Sequence, residues 1–370
     1  MPQTFTARRL LTPQGTIDHP IITVEDGLIR SIESASRSSD DSTLAATFVD
    51  IHMHGAASHD VMEATPEALT TVNRFLATHG VGRYLPTTVT APVERMLRSL
   101  EGLADAIESP VRGAAMPIGI HLEGPFISHV KRGVHPPDDI LPPSIALFDR
   151  FQEAARGHIR LMTIAPETEG ALELIEHAAK KGVKLSLGHS NATAAETLAG
   201  IALGATSATH TYNAMRPLGH REPGILGTVL DDERLFSELI CDGIHVSPEL
   251  VRLWLKAKGT DKAILVTDSM GAAGMPDGVY TLGTFPVTVA DGRAISNGHL
   301  AGSVLTMDRA VANLQQFTGA SLETAVRLAS TNPAAMLGAE NTIAPGKPAN
   351  FNRFDANGSL QATILDGVPV

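Results

Sequence analysis

The chain has 370 residues, 43% hydrophobic and 19% charged, which at about 150 residues per domain makes room for two domains or one large one and excludes a disordered chain or a disulfide mini-domain. Lys and Arg number 29 against 40 Asp and Glu, a net charge of −11, which excludes a broad grip on nucleic acid or an anionic membrane and sends any anionic ligand to a local basic pocket. The single cysteine, Cys241, excludes an internal disulfide; no apolar run nears the ~18 residues of a membrane span and no signal-peptide stretch follows Arg8 and Arg9, so a soluble cytoplasmic protein is expected.

In chain order, residues 5–11, 21–25 and 28–32 read as short strands broken at the Pro13-Gln14-Gly15 and Asp26-Gly27 turns, and the polar stretch 34–43 reads as a loop. From Thr47 onward, short apolar runs alternate with longer Ala-, Leu- and Glu-rich segments. Strands are predicted at 48–54, 83–89, 118–123, 159–165, 184–188, 207–210, 238–242 and 263–268, with amphipathic helices such as 66–79, 92–107, 170–181 and 192–203 between most of them. This repeated βα pattern favours a closed, TIM-like (β/α)8 barrel over an open sheet. After Asp268 strands return at 279–282 and 285–289, followed by helices around 307–318 and 322–328 and β segments at 349–354 and 361–365. The two terminal β regions are expected to pack together as a small discontinuous domain, residues 1–47 with 340–370, beside a barrel of residues 48–339.

The informative feature is what ends each apolar strand. FVDIHMHG carries His52 and His54, two apart and therefore on one side of a strand. IHLEGPF presents His121 and Glu123, LGHSNAT His189, SATHTYNAM His210, and ILVTDSM Asp268. In a (β/α)8 barrel these ends share the C-terminal face, where active sites lie. Burying several ionisable groups there costs several kcal/mol per unpaired charge, on the order of the desolvation penalty of an ion, and a divalent cation offsets it. Imidazole nitrogen and carboxylate oxygen suit Zn2+, Fe2+, Mn2+ or Co2+. Cys241, inside SELICDG, reads as a buried core thiol, and no nucleophile elbow, P-loop or dinucleotide fingerprint is present.

FVDIHMHG, HLEGPF, KRGVHPP, LGHSNAT, THTYNAM, REPG, CDGIHV, VTDSM, LAGS and IAPGKPAN together resemble the N-acetylglucosamine-6-phosphate deacetylases of the amidohydrolase superfamily, nearly end to end. The resemblance implies a metal-bearing (β/α)8 barrel with a small β-sandwich domain built from the N- and C-terminal segments, assembled as a homodimer. It implies hydrolysis of N-acetylglucosamine 6-phosphate, a small amino-sugar phosphate, to glucosamine 6-phosphate and acetate by metal-activated water. By position, Glu123, His189 and His210 match the principal metal ligands, and His52 and His54 the pair that holds a second metal in some members. One or two divalent ions are therefore expected, zinc first among them. Asp268 matches the catalytic base and acid, and His135 a histidine near the substrate amide. Asn213, Ala214, Arg221 and His245 match the positions that hold the sugar phosphate, the arginine in the family reaching across the dimer interface.

The chain departs from the family at Gly82, commonly Thr, and at Asn350, usually acidic; both departures bear on packing more than on chemistry. His129, His220 and His299 read as ordinary surface or structural residues. Three rivals stand beside this reading. A dihydroorotase or hydantoinase would carry a lysine after the fourth strand, where HIRLMTIAPET has none. N-acetylgalactosamine 6-phosphate differs as a substrate at one hydroxyl. A catalytically silent sugar-phosphate-binding relative is opposed by the joint presence of His52, His54, Glu123, His189, His210 and Asp268.

Overall fold

Parallel strands covered on both faces are continuous apolar runs, and those runs form the barrel of the computed structural model, which describes residues 2–370. They are β1 (Phe48–Met53), β2 (Val81–Thr88), β3 (Ile120–Glu123), β4 (Ile159–Ile164), β5 (Lys184–Leu187), β6 (Ala205–Ala208), β7 (Phe236–Ile240) and β8 (Ala263–Val266). Each pairs in parallel with the next. The ring closes at its C-terminal edge: Met53 bridges Ser269, Asp268 N–H donates to the His52 carbonyl at 2.8 Å, and His54 N–H to that of Ser269 at 2.7 Å. The closure thus lies where the candidate ligands sit.

The crossover helices are set by local signals. The first, Pro66–Thr78, starts at Thr65, whose hydroxyl accepts from Ala68 N–H, and has Pro at its first position. Its apolar stripe, Leu69, Val72 and Leu76, packs into the barrel core. Trp254 is fully buried, and its indole N–H donates to Ser237 Oγ on β7 at 2.8 Å.

The chain ends form a β-sandwich. One sheet runs Val368–Pro369, Leu360–Leu365, Phe351–Phe354, Thr43–Ala46, Arg9–Thr12, Gly15–Asp18, and the other Gln3–Thr6, Pro20–Glu25, Leu28–Ser34. Phe351–Phe354 pairs antiparallel with Thr43–Ala46, so C-terminal and N-terminal segments share a sheet. Leu10, Ile22, Ile29, Leu44, Phe351 and Ile364 fill the space between the sheets, with the Phe5 ring edge-on to Phe351 at 5.0 Å. We propose residues 1–47 with 340–370 and residues 48–339 as the two domains. Among the described residues no helix is long and apolar enough to cross a membrane.

Several boundaries differ from the sequence expectation. The predicted strand 5–11 is two strands, because the chain passes from one sheet to the other at Ala7, itself fully buried. The expected helix 322–328 continues to Leu337 through a wide turn at Arg327–Thr331. Pro333 has no N–H to continue the ordinary ladder, and the turn is closed by Asn332 N–H on the Arg327 carbonyl. Beyond β8, the strands Gly278–Leu282 and Phe285–Ala290 continue into Arg293–Ser296 and His299–Leu300 as one antiparallel sheet beside the barrel mouth.

Both family departures are compensated locally. A Cβ added at Gly82 would collide with Thr47, lying 2.7 Å from its Cβ, so Thr47 occupies the space a side chain at 82 would fill. Asn350 Oδ1 accepts from Asp366 N–H at 2.7 Å, a bond an acid would make equally well. Gly82→Thr is therefore expected to destabilise the protein by about 1–3 kcal/mol through overpacking, and Thr47→Gly in the same chain to recover part of that loss. Urea unfolding of the single and double variants checks this; a Gly82→Thr protein as stable as the parent would contradict it.

Candidate active site

The side-chain alternation of β1 puts Asp50 and His52 on one side of the strand, and His54 follows at its end. Glu123 ends β3, His189 follows β5, His210 follows β6 and Asp268 follows β8; all are buried. His189, His210 and Asp268 have φ of +45°, +26° and +49°, a region that costs a non-glycine residue on the order of 1 kcal/mol or more. Strain at three strand ends around one mouth marks the place where side-chain direction outweighs backbone comfort.

Two groups of three ligand atoms form there, Glu123 with His189 and His210, and His52 with His54 and Asp268. Glu123 joins them: Oε1 is 3.4 Å from His52 Nε2, 3.4 Å from His189 Nε2 and 3.3 Å from His210 Nε2, while Oε2 is 3.2 Å from His54 Nε2. Asp268 Oδ1 lies 3.2 Å from His54 Nε2 and 3.6 Å from His52 Nε2. Three of the imidazoles are held from behind. His54 Nδ1 rests on the Thr87 carbonyl at 3.0 Å, His189 Nδ1 on the Lys131 carbonyl at 2.9 Å, and His52 Nδ1 on Glu238 Oε2 at 3.1 Å. Each such bond fixes the ring so that Nε2 faces the centre.

The donor set fits a divalent cation. His189 Nε2 and His210 Nε2 approach to 3.0 Å, a contact that a shared cation would satisfy. His52 Nε2 and Glu123 Oε1 are buried without a hydrogen-bond partner, close to each other yet outside hydrogen-bond geometry. Burial works against the charged forms, but electrostatics outweighs it. The Glu123 charge and the Glu238 contact raise the His52 pKa well above the usual imidazole range, and Asp268 and Glu123 raise His54 to about 9. Glu123, also opposed by burial, is held well below the usual carboxylate range by His52, His189 and His210. Asp268, pushed up by burial, is brought down to about 2 by its contact with His54 and the charge of His52. It is a carboxylate at neutral pH.

The cavity at this mouth measures about 490 Å³ and is walled by Glu123, His189, His210, His54 and Asp268 together with His135, Asn213, Ala214 and His245. His135 Nδ1 accepts from Thr90 N–H at 3.3 Å and lies 2.7 Å from Thr90 Oγ1, which leaves its proton on Nε2, 3.8 Å from Glu123 Oε2. Burial first, then the charge of His189, holds its pKa well below the ordinary value, so it is a neutral N–H donor. His245 Nδ1 binds Asp242 Oδ2 at 2.6 Å, and Asp242 Oδ1 accepts from the Ile244 and His245 backbone N–H groups at 2.8 Å each. Burial lowers the His245 pKa, but Asp242 outweighs it and raises the value, favouring the cation. Lys131 is the one lysine or arginine on the wall among the described residues.

Of the residues singled out in the sequence, His52 sits fully buried behind His54, and Arg221 is not brought in: it is exposed in the loop after β6 and lies off the cavity wall. His121 does not join the ligands either. Its Nε2 meets Thr163 Oγ1 at 2.8 Å and its Nδ1 Thr87 Oγ1 at 3.3 Å, which turns both nitrogens away from the cluster. Cys241 is buried, as expected, and burial pushes its thiol up. His299, read as an ordinary histidine, is exposed but lines the cavity from the neighbouring sheet, and Glu238 was not singled out at all. Its signal was an acid at the head of the apolar run LIC, in SELICDG.

Residues 43–370 match the model of the Amidohydrolase family. The chain is 38% identical to N-acetylgalactosamine-6-phosphate deacetylase of Escherichia coli O157:H7 over 374 residues, covering 99% of each chain. It is 35% identical to N-acetylglucosamine-6-phosphate deacetylase of Bacillus subtilis (strain 168), covering 97% of this chain and 94% of the relative. The crystal structure of N-acetyl-D-glucosamine-6-phosphate deacetylase from Mycobacterium smegmatis superposes with a TM-score of 0.93 at 33% identity, over 100% of both chains.

Proposed function

The chain belongs to the amidohydrolase family and is a hydrolase of amide bonds; from that premise we propose that it converts N-acetyl-D-glucosamine 6-phosphate to D-glucosamine 6-phosphate and acetate, in the cytoplasm, in amino-sugar catabolism and cell-wall sugar recycling. One observation carries the reading: a cation-ready cluster, an ionised Asp268 and a neutral His135 donor face a single cavity. Full-length relatives named as deacetylases of N-acetylhexosamine 6-phosphates support it over a silent binding protein. A dihydroorotase or hydantoinase type lacks support, since β4, IRLMTI, carries no lysine.

We assign Glu123, His189 and His210 to the principal ion and His52, His54 and Asp268 to a second; zinc is the first candidate, with Fe2+, Mn2+ and Co2+ the others. Such a cation, when bound, supplies a Lewis acid for the amide carbonyl and lowers the pKa of water to around 7. Asp268 takes the proton of the attacking water and returns it to the amide nitrogen as the C–N bond breaks, releasing acetate and the amine. His135 donates its Nε2–H to the carbonyl oxygen, whose negative charge grows in the transition state. The phosphate is held by His245 and the backbone at Asn213 and Ala214. Arg221, off its own wall, completes the neighbouring pocket of a homodimer.

Acetate release tests this. If two charge-assisted contacts to the phosphate contribute about 1.5 kcal/mol each, the unphosphorylated sugar should show kcat/KM lower by about 100-fold. Equal turnover of the two would remove the phosphate assignment. A second reading, N-acetylgalactosamine 6-phosphate, rests on the 38% identity to that deacetylase, a figure that an N-acetylglucosamine-6-phosphate deacetylase of Lysinibacillus sphaericus equals. Higher kcat/KM on the galacto isomer would transfer the proposal to it.

A further inference from the structure

Glu238 is fully buried on β7, and Oε1 has no hydrogen-bond partner. Oε2 meets one member of each ligand group: His52 Nδ1 at 3.1 Å, and the His210 backbone N–H at 3.3 Å. No lysine or arginine pairs with it among the described residues. A buried carboxylate so placed is costly unless a positive centre lies near. Orienting a ring does not by itself need one: His54 and His189 are oriented by neutral backbone carbonyls, and His52 alone is backed by a charged side chain. A carboxylate behind an imidazole fixes the tautomer and makes the opposite nitrogen a stronger donor to a cation.

We propose that Glu238 is the positioning residue that makes His52, His54 and Asp268 a cation site, by holding the His52 proton on Nδ1 and directing the Nε2 lone pair to the space between Glu123 and Asp268. The inference rests on the two-ion reading above. It gives the HxH pair a condition: His52 reaches its full strength as a ligand only with an acid at position 238. The residue touches neither the cavity nor the substrate, so its effect passes through His52.

Titration of chelator-stripped protein with Co2+, followed by visible absorption and by elemental analysis after gel filtration, tests it. Parent protein should bind two ions per chain. Glu238→Gln should keep the first ion at unchanged affinity and bind the second about 10- to 100-fold more weakly, the usual effect of removing such a partner. Two ions at parental affinity in Glu238→Gln overturn the role of Glu238 alone. Equal weakening of both ions shows a general packing role and overturns it too. A single ion in the parent overturns the two-ion reading and this inference with it. Should Glu238→Gln fail to fold by circular dichroism, parent protein labelled with 15N-histidine and loaded with Zn2+ answers the same question: a proton on His52 Nδ1 alone supports the proposal, and one on Nε2 overturns it.

Discussion

Glu123→Gln is expected to reduce kcat/KM by at least about 1000-fold and to abolish retention of the principal ion. Four imidazoles, those of His52, His54, His189 and His210, lie within 3.2–3.4 Å of the two carboxylate oxygens. An amide of the same shape supplies no negative charge and turns an N–H donor toward nitrogens that need an acceptor or a cation. Breaking a buried charge cluster by removing one partner typically costs about 3–5 kcal/mol, so the variant should also melt lower than the parent. Linkage separates these effects. Added Zn2+ should raise the Tm of stripped parent protein, because it binds the native state, and should raise that of Glu123→Gln less, through His52, His54 and Asp268 alone. A variant that retained its ion and its rate would remove Glu123 from the site.

Asp268→Asn is expected to lower kcat by about 1000-fold, within the range typical of losing a general acid–base group, with a smaller change in KM. The carboxyl is brought down to about 2 by His54 and His52 against the pull of burial, so at neutral pH it is ready to accept a proton. Asparagine keeps the size and one acceptor oxygen but accepts no proton from water and returns none to nitrogen. The ion at Glu123, His189 and His210 should remain, since Asp268 belongs to the other group. Steady-state rates with elemental analysis of the same samples make the distinction. An Asp268→Asn enzyme with full activity would refute the proton-transfer role.

What could be read from the sequence was what is local. A buried parallel strand is an apolar run, and a histidine or acid at its end is visible in a handful of letters; His52, His54, Glu123, His189, His210 and Asp268 were found in this way and are gathered at one mouth. Glu238 was missed because it stands at the start of the predicted strand 238–242, away from the strand ends that carry the ligands, and its meaning depends on His52, which is 186 positions away. His121 was overcounted: spacing put it beside Glu123, but Thr163 and Thr87, from neighbouring strands, claim its nitrogens. The space at Gly82 is filled by Thr47, just ahead of the adjacent strand β1, a compensation that no short window contains. Arg221 was placed at the sugar phosphate by resemblance alone, and in the folded chain it lies off the cavity wall. The strand Thr43–Ala46, TLAA, carries little β-propensity and is held by partners on both sides, one of them at the opposite end of the chain.

Anomalous X-ray scattering at the zinc, iron, manganese and cobalt edges, from crystals of protein isolated without chelators, tests the central assignment most directly. A peak about 2.0–2.2 Å from a Glu123 carboxylate oxygen and from Nε2 of both His189 and His210, the distances of a zinc site, is the predicted result. Active crystals with no peak within bonding distance of those three residues would contradict it.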